Sequence, residues 1–326
     1  MLSVSCLAMT IPLSLPLSLS QKPTLPSPNG LFGPASAVGP KPEAVYDGDY
    51  GTGEIKLRIG NGGAGQSGLI KVLADAFIKS SVANGSSPFK IAWYKSDTTQ
   101  SINYLKDNTV DIGITYTPAA ETIATNRGIA KAPAYYAFRD RFILVGPKSN
   151  PANLTSNQDI LSMFANIFSK AEEGATVNGT SVRFLARYDK SATNIKDSQL
   201  WIGIGQVPWA TAYSTWYHQY IAYPVQALKA AILLKEYTLT DRGTLLSIDE
   251  GLREKVKVYK VGSDEKDDLL LNPAHMLVGR DVVNEELAGR FAEWVISEEG
   301  QGNVTSLFKS DKQLYDAAPD DKTAPF

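Results

Sequence analysis

The chain has 326 residues, 43% of them hydrophobic, with a formal net charge of −2 and a pI near 5.8. That is enough apolar material for a large core without disulfide staples, and the length suggests about two domains. The slight acidic excess argues against nucleic acid as a partner, because phosphate backbones are bound by a surplus of Lys and Arg.

The first 21 residues carry no charged side chain, and the stretch from Leu2 to Leu19 is rich in Leu, Ser and Pro. Pro12, Pro16 and the modest length favour a secretory signal over a membrane span. Residues 1–20 are therefore read as a signal peptide, and the protein as secreted, with no stable membrane anchor. Cys6, the only cysteine, falls inside that segment, which leaves the mature chain without a disulfide. Acceptor sequons at Asn84, Asn153, Asn178 and Asn303 are consistent with a glycoprotein on a eukaryotic secretory route. Residues 21–54, dominated by Pro, Gly, Ser and Ala, read as a disordered leader.

The folded part is expected to begin at Ile55. Ile55-Lys56-Leu57-Arg58-Ile59 alternates as a strand, Gly60-Asn61-Gly62-Gly63-Ala64-Gly65 makes a turn, and a helix runs from Ser67 to about Lys79. Strands are predicted at Phe89 to Tyr94, Val110 to Thr115 and Phe142 to Val145, with helices at Thr98 to Lys106 and Ala119 to Thr125 between them. Beyond Gly146-Pro147 come a helix near Asn157 to Lys170, a strand at Val182 to Ala186, helices near Asn194 to Trp201 and Val225 to Glu236, and a strand at Tyr237 to Thr240. A strand near His275 to Val278 and a helix from Glu285 to Ser297 close the series. Strands alternating with helices of these lengths imply an α/β fold with helices on both faces of a parallel or mixed sheet.

Two stretches carry candidate chemistry. Arg187-Tyr188-Asp189-Lys190-Ser191-Ala192-Thr193 places a guanidinium and two hydroxyls at a helix N-terminus, a combination suited to a small anion. The plainer alternative is an Arg187–Asp189 surface pair with Ser191 as a helix cap. The glycine turn offers backbone N–H groups for the same purpose. Gly60, Gly62 and Gly65 also meet a Gly-x-Gly-x-x-Gly spacing, but Trp93-Tyr94-Lys95 stands where an acidic ribose partner belongs, so the dinucleotide reading is weak. Thr98 occupies the equivalent turn one strand later, either as a helix cap or as a hydroxyl donor. His218 and His275 lack metal-ligand spacing and no Gly-x-Ser-x-Gly elbow is present, so neither a metal nor a cofactor is expected. The aromatic run from Trp201 to Tyr223 is a core or a pocket wall.

In order and spacing, Phe142-Ile143-Leu144-Val145-Gly146-Pro147, the Arg187 to Thr193 run, Trp216-Tyr217, Tyr237-Thr238-Leu239-Thr240-Asp241-Arg242-Gly243-Thr244, Leu271-Asn272-Pro273 and the ending Phe291 to Gln301 resemble the tungstate-type periplasmic substrate-binding proteins. The chain looks like a secreted, fungal-like member. The resemblance implies a type II periplasmic-binding-protein fold, with two α/β lobes joined by two hinge strands and a ligand in the cleft between them. Lobe one would be residues 55–140 plus 276–326, and lobe two 141–275.

The family's Arg and Thr fall on Arg187 and Thr193, with Ser191 between. Its Thr/Ser loop after the first strand is replaced by Gly60-Asn61-Gly62-Gly63, and a later glycine-rich segment by Ile221-Ala222-Tyr223-Pro224. The expected ligand-binding set is Asn61, Gly62, Gly63, Thr98, Arg187, Ser191 and Thr193. The expected function is non-enzymatic capture of a small oxyanion, tungstate- or molybdate-like, or of another small anionic ligand, by a monomer, with a transporter partner doubtful. The alternatives are an enzyme using Asp189, Asp241 and His218, or a ligand-free cell-wall or host-interaction protein.

Overall fold

The structure, a computed structural model, describes residues 39–308, 314–319 and 323–324. The signal peptide and most of the leader read from the sequence lie outside the described residues. Order begins earlier than Ile55: β1 (Ala44–Tyr46) pairs antiparallel with β3 (Lys90–Lys95), Ala44 opposite Trp93 and Tyr46 opposite Ile91. The Pro- and Gly-rich flanks masked this short edge strand, yet Tyr46 is buried and joins the core.

The chain then runs through β2 (Ile55–Asn61), a short α1 (Gly63–Ser67), α2 (Leu69–Ala83), β3, α3 (Thr98–Lys106), β4 (Ile112–Thr115), α4 (Pro118–Asn126) and a long β5 (Ala134–Pro147). The helix expected from Ser67 to about Lys79 is α2, whereas part of the expected glycine turn is the short helix α1, ended at Gly68 by a left-handed φ of 97°. After β5 come α5 (Ile160–Glu172), a small hairpin of β6 (Thr176–Val177) and β7 (Thr180–Ser181), β8 (Phe184–Ala186), α6 (Ala192–Gly203) and β9 (Tyr217–Gln219). The remainder is α7 (Pro224–Leu234), β10 (Tyr237–Asp241), α8 (Arg242–Ser247), α9 (Glu250–Arg253), β11 (Val256–Val261), β12 (Leu271–Val278), α10 (Glu285–Ile296) and β13 (Thr323–Ala324). Five helices, α3, α5, α6, α8 and α10, start where polar caps take up free N–H groups: Asp97, Asp159, Ser191, Asp241 and Asn284 each accept from an amide three residues on.

The strands order β1-β3-β2-β4-β12-β5-β10-β8-β9, with β11 and β13 also on β5. β5 serves two sheets. Its residues 135–141 pair with β12, whereas Phe142 to Val145 pair with β10 and residues 143–147 with β11. Two α/β lobes with mixed sheets result, each with its own apolar core. One core gathers Leu57, Ile59, Phe77, Ile91 and Phe291, and the other Phe164, Phe184, Trp201 and Tyr237. Among the described residues, no helix is long and apolar enough to cross a membrane.

Candidate functional site

A cavity of about 40 Å³, measured as space open to water centres, lies where the two lobes meet. One water takes roughly 10–15 Å³ on that measure, so the space suits a few waters or one small ion. Gly62, Gly63 and Thr98 line it from one lobe, and Arg187, Ser191 and Thr193 from the other.

The Arg187 to Thr193 turn is held by its own side chains. Tyr188 and Lys190 adopt positive φ of 48° and 64°, and Asp189 Oδ1 accepts the Ser191 amide at 3.1 Å. Arg187 donates from Nη2 to Asp189 at 2.6 Å, from Nη1 to Thr193 Oγ1 at 3.2 Å and from Nε to the Ala222 carbonyl at 3.1 Å. The Arg187–Asp189 pair of the plainer reading is therefore present, but buried at the cavity rather than on the surface. Ser191 also caps α6, its Oγ accepting from the Asn194 amide at 3.2 Å. Each of these hydroxyls accepts inward and retains its own O–H to donate into the cavity.

On the facing lobe, Asp97 and not Thr98 caps α3, taking the Gln100 amide at 2.8 Å. Thr98 is 4% exposed, and its Oγ1 is buried without a hydrogen-bond partner. Asn61 does not line the cavity. Its side chain is spent on the Ile114 carbonyl at 3.0 Å, the Tyr116 hydroxyl at 3.2 Å and the Gly65 amide at 2.9 Å, which ties the glycine turn to β4. Steric need accounts for the glycine spacing: a β-carbon on Gly65 would stand 2.1 Å from the Trp93 ring, and one on Gly62 2.8 Å from the Ser96 carbonyl. Trp93 in turn donates Nε1 to the Asn61 carbonyl at 2.9 Å.

Of the cavity's deep wall, sequence reasoning named only Asp241, as an acid–base candidate, and missed the rest. Asp140 and Phe142 on β5, Asp241 ending β10 and Asn272 on β12 all face the cavity. Register brings them together, with Asp140 opposite Asn272 and Phe142 opposite Asp241. Burial raises the Asp140 carboxyl well above the ordinary carboxylate range, and the negative charge of the adjacent Asp241 raises it further. Burial also raises Asp97.

Of the other acid–base candidates, Asp189 is engaged by Arg187, while His218 sits on β9 against Glu236 at 2.9 Å and does not line the cavity. The described residues contain no group of three or more His, Cys, Asp or Glu placed to hold a metal ion. In the aromatic run, Trp201, Trp216 and Tyr217 are core, Tyr213 is 95% exposed, and Tyr223 forms a cavity wall.

Two longer helices, α3 and α6, aim their N-termini at this space from opposite lobes. Their first-turn amides, including those of Thr98, Ala192 and Thr193, have no partner within the helix. Such ends carry a partial positive charge and receive oxyanions. Two lobes on a shared strand, meeting at a small cavity lined from both sides, define a type II solute-binding fold.

The chain belongs to the PBP superfamily: residues 43–299 match the family described as the PBP superfamily domain. It is 29% identical over 213 residues to the tungstate-binding protein TupA of Peptoclostridium acidaminophilum, covering 64% of this chain and 67% of that one. To the "putative ABC transporter anion-binding protein" of Haloferax volcanii it is 27% identical over 225 residues, 67% of this chain and 60% of the relative. A crystal structure described as "a periplasmic putative metal binding protein" superposes with a TM-score of 0.77 at 59% identity, covering 85% of this chain and 99% of that chain.

Proposed function

We propose that the protein captures a small tetrahedral oxyanion, tungstate or molybdate, in the cavity between residues 55–140 plus 276–326 and residues 141–275, taken as its two lobes. The observation that carries this reading is the convergence of Arg187, Thr193, the unpartnered Thr98 hydroxyl and the α3 and α6 N-termini on a space of about 40 Å³. Arg187, although paired with Asp189, supplies the only cationic side chain among the lining residues. Ser191, Thr193 and Thr98 supply hydroxyls, and Gly62 and Gly63 an uncluttered backbone surface. The names of the relatives support the ligand class, and an oxometallate satisfies both a tungstate name and a metal-binding one. The Haloferax relative's name supports delivery to an ABC transporter, a partner the sequence reading doubted. We read the protein as exported and non-catalytic.

Calorimetry against tungstate, molybdate, sulfate, phosphate and organic acids tests the reading. Tungstate is expected to bind, and Arg187→Ala to lose about 2 kcal/mol, the scale of a hydrogen bond to a charged group. Binding by no anion, or unaltered binding by Arg187→Ala, would overturn it.

A further inference from the structure

The deep wall of the cavity presents carboxyls to a space otherwise arranged for an anion. Asp140 and Asp241 are 3% and 7% exposed. Asp241 has both oxygens occupied as acceptors, Oδ1 by the Thr244 amide at 2.6 Å and Oδ2 by the Thr244 hydroxyl at 2.7 Å. Asp140 Oδ1 accepts the Arg141 amide at 2.7 Å and the Gly243 amide at 3.4 Å. Its carboxyl lines the same cavity wall as Asp241's, whose negative charge acts on it. Two neighbouring carboxylates shielded from water repel unless a proton stands between or beside them.

The groups around Asp140 supply no compensating cation. Asp241 adjoins it, the buried phenols Tyr116 and Tyr315 lie nearby, and Arg141 turns away to Asp264 and Asp316. Across the cavity stand Arg187, already paired with Asp189, and Asp97. Two further polar atoms at the cavity, Thr98 Oγ1 and Asn272 Oδ1, are buried without partners in residues only 4% exposed, which points to a polar occupant.

We propose that Asp140 is a specificity-determining residue of the oxyanion site, holding a proton between Asp241 and the cavity and donating it as a hydrogen bond to a ligand oxygen. The proposal rests on the oxyanion reading above and adds that capture is linked to one proton. In this role Asp140 is neutral, and Asp241 and the Thr244 cap orient it. Loss of the proton sets a carboxylate against the anion, so affinity falls as pH rises through the titration of Asp140. With one linked proton, the fall is tenfold per pH unit above that titration. Asp140→Asn keeps the volume and, through its amide, a donor that does not titrate.

The test is calorimetric titration of the full chain with sodium tungstate from about pH 5.5 to about pH 9.5, a span set well above the ordinary carboxylate range. It is paired with the infrared difference spectrum of wild type minus Asp140→Asn without ligand. The expected result is falling wild-type affinity at high pH, a flat profile for Asp140→Asn, and a protonated-carboxyl C=O stretch present only in wild type. Asp241→Asn, which removes the neighbouring negative charge and keeps an amide oxygen at the α8 cap, is expected to move the fall to lower pH. A flat wild-type profile, an Asp140→Asn profile as steep as wild type, or no infrared difference overturns the proposal while leaving the oxyanion reading intact. Absence of tungstate binding at every pH, with the carboxyl band present, removes the oxyanion reading and the proposal's ligand role together.

Discussion

Gly63 faces the cavity, and a β-carbon there would meet nothing within 4 Å. Its backbone is not among the left-handed positions, so a side chain costs no strain there. Gly63→Ser is expected to place a hydroxyl where the resembled family carries one, and to tighten tungstate binding by about tenfold, the worth of one charge-assisted hydrogen bond. Calorimetry against wild type decides it, since equal affinity would show that no ligand oxygen lies within reach of residue 63. At this scale, legibility followed contiguity. Arg187, Ser191 and Thr193 lie within one turn and could be read directly, because a short turn leaves their side chains few places to go. Asn61 was misplaced for the opposite reason: its amide matches three nearby buried partners, and burial favours satisfying them first.

The start of α3 separates structure from binding in two adjacent residues. Asp97→Ala removes the acceptor of the Gln100 amide and is expected to cost about 1 kcal/mol of stability, seen as a lowered Tm. Thr98→Ala deletes a buried hydroxyl that has no protein partner, so the expected outcome is unchanged melting with weaker tungstate binding. If Thr98→Ala melts lower and binds normally, the two roles are reversed. The sequence held the signal for this assignment, since Asp97 followed three residues later by Gln100 is a helix-start pattern, and Thr98 lies one position too late to cap. β5 shows where such reading stops. Only Phe142 to Val145 was expected to be extended, because Arg139-Asp140-Arg141 interrupts the apolar pattern, yet the strand runs for 14 residues. Those polar residues mark where the strand leaves one sheet for another, and their partners stand more than a hundred residues away in sequence. Asp140, Asp241 and Asn272 meet through pairing registers that no local pattern encodes.

Across the whole molecule, the two lobes touch at the rim as well as at the shared strand. Thr99 Oγ1 on α3 donates to the Lys190 carbonyl at 3.0 Å, and Lys95 Nζ stands 4.5 Å from the centre of the Tyr223 ring. An exposed hydrogen bond of this kind contributes about 0.5–1.5 kcal/mol. Thr99→Ala is therefore expected to speed tungstate release several-fold with little change in the association rate, as is usual for contacts that form late in docking. Stopped-flow tryptophan fluorescence separates the two rates, and an unaltered release rate would show that the rim bond does not hold the cavity shut.

β5 changes partners between Asp140 and Phe142, so the deep wall lies where the two lobes join, the place for a pivot if they hinge. Points at a fulcrum hardly travel while the arms swing, and the rim at Thr99 and Lys190 would sweep the longest arc. The acid pair would then keep its spacing whether the jaws are apart or together, acting as an anvil against which the moving side presses the ion. Choice of ion would reside in the part that stays still, and duration of hold in the part that moves.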